Sequence, residues 1–290
     1  MEDPFQAIII WRMPDTWRLL VTPPARGAWN MAVDESVLEH IGRGESQPTL
    51  RLYAWAPPCL SLGHAQPFSD ADLDRLAARG WEMVRRPTGG RAILHTDELT
   101  YSVIASSDEP HMAGSVLESY NRLALALLHA VRSLDVDAQS NPLSVEAGVP
   151  GAANHASPNP VCFEVPSAYE ITVAGRKLIG SAQARRREGV LQHGSLPLTG
   201  DLARITEGLV FPDEASRMDA ARRLLSRALT VESALGRPVS WDQAALSFVH
   251  GFETQLDLCL ERADLSESEL RRAAELVDDK YDHPAWMRRV

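Results

Sequence analysis

The chain has 290 residues, of which 44% are hydrophobic, 23% charged and 6% aromatic. This is the composition of a globular protein with one large domain or two unequal ones, and it excludes disorder along the whole chain. With 29 Lys and Arg against 39 Asp and Glu, the formal net charge is −10, which excludes a generic nucleic-acid coat. The cysteines Cys59, Cys162 and Cys259 are odd in number and lack C-x-x-C spacing, so neither a disulfide framework nor a structural zinc site is expected.

The N-terminal segment lacks the pattern of a secretory signal. Glu2 and Asp3 stand where such a signal carries positive charge, and the apolar run Ala7–Trp11 is short. No later stretch approaches the roughly 20 apolar residues that span a bilayer. We therefore expect a cytoplasmic protein that does not enter a membrane.

Hydrophobic periodicity predicts an α+β (α/β) core in residues 1–198 and a helical C-terminal extension in residues 199–290. Capping boxes begin two of the helices, at Ser115 with Glu118 and at Ser266 with Glu269. The predicted elements, in chain order, are strand 17–22, helix Ala28–Ile41, the neighbouring strands Thr49–Trp55 and Cys59–Leu62, helix Ser69–Arg79, strands Ala92–Leu94 and Leu99–Ala105, the helix after Ser115, strands Tyr169–Val173, Lys177–Ile179 and Gly189–Leu198, and helices Asp213–Ala228, Trp241–Arg262 and Ser266–Asp278.

The sequence pattern gives two further predictions. In the helix Ala28–Ile41, Asp34 and Glu35 lie away from the apolar face. The segment Gln139–Pro160 is rich in Asn, Pro, Ser, Gly and Ala and predicts a long surface loop. Long loops in compact domains are usually functional or mobile.

Residues 85–95 combine a double glycine with three arginines. Gly89 and Gly90 let backbone N–H groups approach a ligand, and the guanidinium groups supply positive charge. Such a loop suits an anionic or carbonyl-bearing ligand, but a hairpin loop with solvated arginines fits the glycines equally well. Neither a Walker nor a dinucleotide-binding spacing is present.

Lys177 and Cys162 are candidates for chemistry. Lys177 is one of only two lysines and follows a predicted turn, where it can bind a carboxylate or a polarised carbonyl, although an exposed hairpin lysine is commoner. Cys162 lies fifteen residues earlier, and a nearby ammonium lowers the pKa of a nucleophilic thiol. Cys59, in its strand, and Cys259, in its predicted helix, are expected to be small buried hydrophobes. His193 is expected to be a hydrogen-bonded core histidine.

These segments resemble the biotin/lipoate protein ligase superfamily, and more closely its cysteine-dependent octanoyltransferases. ATP-dependent lipoate ligases of that superfamily usually carry a third glycine where this chain has Arg91, and the difference favours the transferase branch. The resemblance implies a mixed-sheet core like that of biotin ligases and class II aminoacyl-tRNA synthetases. The matching motifs, in order, are Asn30–Glu35, Pro48–Trp55, Leu60–Gly63, Arg85–His95, Leu99–Val103, Cys162–Glu170, Gly175–Gln183, Leu191–Ser195 and the tail Lys280-Tyr281 with Trp286.

The resemblance implies an octanoyl transfer in lipoate biosynthesis, without ATP, metal or another cofactor. The donor would be octanoyl-acyl carrier protein, and the acceptor a lysine of a lipoyl-domain protein such as the glycine cleavage H protein or the E2 component of a 2-oxoacid dehydrogenase. Cys162 would carry the acyl group as a thioester and Lys177 would orient its carbonyl. The other site residues implied are Arg85, Thr88, Gly89, Gly90, His95, Gly180, Ser181, Ala182, His193 and Gly194, with His95 and His193 either structural or proton-handling.

Acyl carrier proteins and lipoyl domains are typically acidic, so a chain of charge −10 needs a local basic patch to attract them. Arg85, Arg86, Arg91, Arg176 and the run 185–187 are predicted to form this patch, with solvated surface charges as the alternative. No nucleic-acid partner is expected. Three other functions remain open: an ATP-dependent lipoate ligase, an amidotransferase between carrier proteins, and a non-catalytic lipoyl-binding protein.

Overall fold

A computed structural model describes residues 15–140 and 171–290. The predicted loop Gln139–Pro160 therefore lies outside the described residues except for its first two positions, and so does Cys162. The start of the strand predicted at Tyr169 is outside them as well.

The described strands form one sheet of eight and one of three. In the large sheet the order is β11-β1-β2-β6-β10-β9-β8-β7, with β1 parallel to both neighbours and β6, β10 and β9 antiparallel, so the prediction of a mixed sheet is confirmed. The small sheet has the order β4-β3-β5. The strands are β1 Asp15–Val21, β2 Thr49–Tyr53, β3 Cys59–Leu62, β4 Glu82–Arg85, β5 Ile93–His95, β6 Glu98–Ala105, β7 Gln139–Ser140, β8 Ile171–Val173, β9 Arg176–Arg186, β10 Gly189–Pro197 and β11 Leu258–Ala263.

Helices cover both faces of the large sheet. On one face, α1 packs its apolar side chains against Ile104 of β6 and Leu191 of β10, and α7 packs on α1. On the other face, α3 and α6 pack together over Tyr101 and Val103 of β6. Successive residues of β6 point to opposite faces, so one strand supplies both cores. The helices are α1 Gly27–Gly42, α2 Leu73–Ala78, α3 Val116–Arg132, α4 Glu214–Arg227, α5 Val231–Leu235, α6 Trp241–Leu256, α7 Glu267–Leu276 and α8 Pro284–Met287.

Both predicted capping boxes are confirmed. The Ser115 hydroxyl accepts a hydrogen bond from the backbone N–H of Glu118, and the Glu118 carboxylate accepts one from the backbone N–H of Ser115. Ser266 and Glu269 make the same reciprocal pair at the start of α7. Each box satisfies two backbone donors that a helix N-terminus otherwise leaves without partners.

Two predictions about these elements were wrong. The helix predicted over Trp241–Arg262 ends at Leu256, because Asp257 adopts a left-handed conformation with φ of 51°, and the chain continues as β11 beside β1. Cys259 therefore lies in an edge strand and not in a helix. The strands β2 and β3 are not neighbours either, since they belong to different sheets. The prolines between them cannot continue a ladder, and they separate the two sheets.

A buried ion pair connects helix α7 to the first strand. The Arg18 guanidinium donates to both carboxylate oxygens of Glu269, at 2.9 and 2.7 Å, and Ser46 donates to the same carboxylate at 2.8 Å. Burial disfavours the charged carboxylate, but hydrogen bonds from Arg18, Ser266 and Ser46 outweigh burial and lower the pKa of Glu269 to about 2.

We expect Glu269→Gln to lower the free energy of unfolding by about 3 kcal/mol near neutral pH, because it leaves Arg18 buried without its counter-ion. Since the native pKa lies below the ordinary value of 4.5, the stability from this pair is present above that value and is lost as the pH falls toward 2. The variant should lack this part of the acid dependence. Urea unfolding at several pH values measures both effects, and Glu275→Gln, at an exposed pair on the same helix, is the control. Equal stability of Glu269→Gln and wild type would contradict the assignment.

Candidate functional site

Lys177 is held at the start of β9 from both sides. It follows a turn in which Ala174 and Gly175 have φ angles of 48° and 77°, and it pairs with Thr172 of β8. On its other side, its carbonyl accepts a hydrogen bond of 3.1 Å from the backbone N–H of Leu229. Lys177 is only 3% exposed, so it is not the exposed hairpin lysine that spacing alone favours.

The small residues of β9 and β10 lie side by side. Ser181 pairs with Gly194 and Ala182 pairs with His193. A Cβ atom on Gly194 would lie 2.6 Å from the Gly180 carbonyl oxygen and 2.7 Å from a ring carbon of Tyr101, so only glycine fits there. The predicted Gly180, Ser181, Ala182, His193 and Gly194 thus form one continuous patch of sheet.

Tyr101 of β6 lies beside this patch. Its hydroxyl is 2.7 Å from the Ser181 hydroxyl and accepts a hydrogen bond of 3.2 Å from the Gln192 amide. Burial raises the pKa of Tyr101 to about 12, so the phenol stays neutral. The tyrosine fixes the Ser181 side chain in place.

Arg85 and Arg86 stabilise the glycine loop and the neighbouring turn by hydrogen bonds to backbone carbonyls. The buried Arg85 guanidinium donates to the carbonyls of Gly63 at 2.8 Å and Gln66 at 2.6 Å. The Arg86 guanidinium donates to the carbonyls of Ser61, Gly89 and Arg91, at 3.0, 2.8 and 2.7 Å. Both side chains donate their hydrogen bonds to backbone carbonyls, so the prediction that they belong to a surface basic patch was wrong. The sequence alone does not show that these arginine side chains are buried under the loop that follows them.

Gly89 and Gly90 remain accessible at the top of this loop. A Cβ atom on Gly89 would meet nothing within 4 Å, and Gly90 has a φ of 93°, which favours glycine. Gly63 approaches the loop from the neighbouring turn, where a Cβ atom would lie 2.0 Å from the Gly90 carbonyl oxygen. The backbone conformation of the loop is therefore fixed while its outer surface is open to a ligand.

Thr88 connects the glycine loop to the large sheet through His193. The Thr88 hydroxyl lies 2.6 Å from Nε2 of His193, and Nδ1 of His193 lies 3.8 Å from the Asp34 carboxylate. Burial lowers the pKa of His193, so the neutral ring is favoured. Since a carboxylate only accepts hydrogen bonds, we assign the ring proton to Nδ1, and Nε2 then accepts from Thr88. His193 is a hydrogen-bonded core histidine, as predicted.

Sequence reasoning missed Asp34 as part of this site. Asp34 is fully buried and accepts hydrogen bonds from Arg51 at 2.7 Å, Ser102 at 2.7 Å and Tyr53 at 3.2 Å. Burial opposes ionisation, but the Arg51 guanidinium, followed by His193 and Ser102, outweighs it and lowers the pKa of the Asp34 carboxyl. Arg51 was the available signal, because a charged residue in a central strand requires a buried partner.

His95 belongs to a second buried network. Its Nδ1 lies 2.7 Å from the Glu98 carboxylate and its Nε2 lies 2.8 Å from the Ser61 hydroxyl. Trp55 stacks on the ring at a centroid distance of 3.9 Å. Burial disfavours ionised Glu98, but the charge and hydrogen bond of His95 outweigh burial and lower the pKa of Glu98. Both ring nitrogens of His95 are thus engaged inside the protein.

The run 185–187 presents one arginine to solvent. Arg185 donates to the carbonyls of Met112 and Gly114, each at 2.9 Å, and Arg186 pairs with Glu35 at 2.7 Å. The Arg187 side chain is 96% exposed. Of these three residues, Arg187 alone has the exposure expected of the predicted basic patch.

Cys59 and Cys259 were both expected to be small buried hydrophobes, and the prediction for Cys259 was wrong because this cysteine is only half-buried in the edge strand β11. Cys59 is buried, as predicted, and burial raises the pKa of its thiol well above the ordinary value. Cys162, the predicted nucleophile, lies outside the described residues. It precedes Thr172, the partner of Lys177, by ten positions in the sequence. Within the described ranges, no group of three or more His, Cys, Asp or Glu residues is arranged to hold a metal ion.

The fold and the motifs of this site define a class of protein. The model of the lipoyl protein ligase A/B catalytic domain matches residues 26–253, so the chain belongs to this family. The match extends from just before α1 into α6 and includes both glycine motifs and Lys177.

Two curated relatives are named octanoyltransferase LipM. The chain is 42% identical to the protein from Kyrpidia tusciae over 273 residues, which cover 93% of this chain and 98% of the relative. It is 36% identical to the Bacillus subtilis protein over 273 residues, covering 94% and 98%. The similarity therefore extends over nearly the whole length of both proteins.

Solved structures of lipoate protein ligases share the fold. A bi-partite lipoate protein ligase from Thermoplasma acidophilum superposes with a TM-score of 0.75 at 26% identity, covering 96% of this chain and 98% of that one. A lipoate-protein ligase A bound with ATP also gives 0.75, at 24% identity, covering 95% and 100%.

No helix in residues 15–140 and 171–290 is both long and apolar enough to cross a bilayer.

We expect Thr88→Val to lower the free energy of unfolding by about 1–2 kcal/mol, because Nε2 of His193 is then buried without a partner. Thr88→Ser keeps the hydroxyl and should retain most of the stability. Urea unfolding of the two variants measures the difference. Equal destabilisation by valine and serine would show that the hydrogen bond to His193 does not hold the loop.

Proposed function

We propose that this chain is an octanoyltransferase that moves an octanoyl group from octanoyl-acyl carrier protein to a lysine of a lipoyl-domain protein. The observation that carries this proposal is the similarity, at 36–42% identity over more than nine-tenths of the chain, to proteins named octanoyltransferase LipM. The buried Lys177, three positions before Gly180 on β9, and the open Gly89 are consistent with it. Acceptors of the appropriate class are the glycine cleavage H protein and the E2 component of a 2-oxoacid dehydrogenase.

In the first step, the thiolate of Cys162 attacks the thioester carbonyl of the donor. The bond from the carbonyl carbon to the cysteine sulfur forms, the bond to the carrier sulfur breaks, and the leaving thiolate takes up the proton that the cysteine released. The exchange of one thioester for another is close to isoenergetic, so no ATP is needed. The Lys177 ammonium favours the thiolate and stabilises the developing oxyanion.

In the second step, the neutral amine of the acceptor lysine attacks the acyl-enzyme. The new amide bond forms, the bond to Cys162 breaks, and the amine proton passes to the departing thiolate. Both steps develop negative charge on the same carbonyl oxygen. We assign its stabilisation to Lys177 and to backbone N–H groups of Gly89 and Gly90, which are pre-organised donors, while the backbone of 180–182 frames the reacting end.

His193 and His95 have positioning roles in this proposal. Neither ring nitrogen of either histidine is directed at the open face of Gly89, because each has a protein neighbour. His193 holds Thr88, and His95 holds Ser61 under Arg86. Proton transfer is left to Cys162, Lys177 and the substrates.

An ATP-dependent ligase is the second candidate, because solved lipoate protein ligases have the same fold. Arg91 occupies the position of the third loop glycine that ligases usually carry, which favours the transferase. An amidotransferase would accept an octanoylated carrier domain but not acyl carrier protein. A non-catalytic binder would retain affinity for the ligand without turnover.

We expect purified protein to octanoylate a lipoyl domain from octanoyl-acyl carrier protein without ATP, as followed by the mass of the lipoyl domain. Lys177→Met should reduce the rate by about 100-fold or more, since one oxyanion donor is worth that much, and Lys177→Arg should lose less because it keeps the charge. Transfer only from free octanoate with ATP would identify a ligase instead. Full activity of Lys177→Met would remove the lysine from the mechanism.

Arg187→Glu should slow the use of octanoyl-acyl carrier protein at low ionic strength and have little effect at high salt, because an exposed charge steers an acidic partner over a screened distance. The matched control is Arg237→Glu, which makes the same change of charge at an arginine that pairs with Asp135. That pair lies just beyond the C-terminal end of α3. Measurement of kcat/KM against salt for both variants tests the idea. Equal salt dependence in the two variants would show that Arg187 does not steer the donor.

A further inference from the structure

The C-terminal eleven residues fold back onto the core and are anchored at Glu35 of α1. The ammonium of Lys280 donates to both oxygens of Glu35, at 2.7 and 2.6 Å, and the hydroxyl of the buried Tyr281 donates to the same carboxylate. Burial opposes ionised Glu35, but Lys280, Tyr281 and Arg186 outweigh burial and lower the pKa of this carboxyl. A buried charge with three partners is a strong anchor for a chain terminus.

Beyond this anchor, α8 contacts Arg85 in two directions. The indole N–H of Trp286 donates to the Arg85 carbonyl at 2.8 Å. The Arg85 guanidinium donates in return to the Met287 carbonyl through two nitrogens, at 3.0 and 2.8 Å. Lys280 lies 4.3 Å over the Trp286 ring and Arg289 lies 4.7 Å from it, so cation–π contacts hold the indole in this orientation.

Arg85 also connects the C-terminal residues to the glycine loop. Its remaining nitrogen, Nη1, donates to the carbonyls of Gly63 and Gln66. The turn at Gly63 lies directly against Gly90, and the backbone N–H of His64 donates to the Thr88 carbonyl at 2.9 Å. Each link is a hydrogen bond or a close backbone contact, so movement at Trp286 displaces Thr88–Gly90.

We propose that Trp286 and Met287 position the glycine loop by acting through Arg85. The proposal rests on the proposed function only for its kinetic consequence, because the contacts themselves are structural. None of these tail residues touches the open face of Gly89, so their effect is on loop geometry and not on substrate contact. A loop whose N–H groups stabilise an oxyanion loses rate when it is displaced slightly, since donors must meet the charge at 2.7–3.1 Å.

Trp286→Phe tests the link, because it removes the N–H donor and keeps an aromatic ring. We expect kcat for octanoyl transfer to fall about tenfold with little change in KM for octanoyl-acyl carrier protein, as for an interaction that matters only in the transition state. A deletion of residues 286–290 should have a larger effect in the same direction. The control is Arg272→Ala, which breaks a pair between α7 and Glu39 but makes no contact with Arg85.

Amide hydrogen exchange gives a readout that does not depend on the reaction. Peptides covering residues 86–91 should exchange faster in Trp286→Phe than in wild type, and at the wild-type rate in Arg272→Ala. The comparison requires that the variants have the same thermal unfolding temperature as wild type. Faster exchange with an inactive wild type would keep the positioning role and refute the proposed function. Unchanged exchange with unchanged kcat, or a higher KM with normal kcat, would refute the positioning role.

Discussion

The buried pair between Asp34 and Arg51 is the constraint on which the site depends. Two opposite charges without access to water are tolerated only when their remaining hydrogen bonds are satisfied, and Arg51 also donates to the carbonyl and side chain of Asn30. Through Ser102 and His193, the same carboxylate connects α1 to the central strands β6 and β10. The helix is thereby fixed over the sheet at one position. The glycine loop is fixed as well, because Thr88 is hydrogen-bonded to His193.

The site is built from backbone more than from side chains. Arg85 and Arg86, which precede the loop in sequence, donate their guanidinium N–H groups to carbonyls and leave the outer surface of Gly89 to a ligand. Close contact between Gly63 and Gly90 fixes the loop without filling the space above it. Rigid N–H groups in such a frame need no reorganisation when an oxyanion forms, which is how a pre-organised site lowers a barrier.

Local patterns predicted most of the elements, because the capping residues Ser115 and Ser266 and the short apolar runs of the strands are short-range signals. They failed where the outcome depends on distant partners. The strand β11 exists because β1 offers it a parallel edge, and the sequence around Cys259 suits a helix as well. The burial of Arg85 and of Asp34 likewise follows from residues more than 15 positions away, such as Gly63 and Arg51. The chemistry of their side chains made Cys162 and Lys177 candidates, and their roles in acyl transfer rest on the resemblance to known acyltransferases.

We propose that Cys162 carries the octanoyl group between donor and acceptor. Intact mass after mixing the protein with octanoyl-acyl carrier protein, wild type beside Cys162→Ser, tests it most directly. We expect an octanoyl adduct on the wild type that hydroxylamine removes, and an adduct that is absent or resistant to hydroxylamine in the serine variant. No adduct on the wild type, together with ATP-dependent modification of a lipoyl domain by free octanoate, would contradict it.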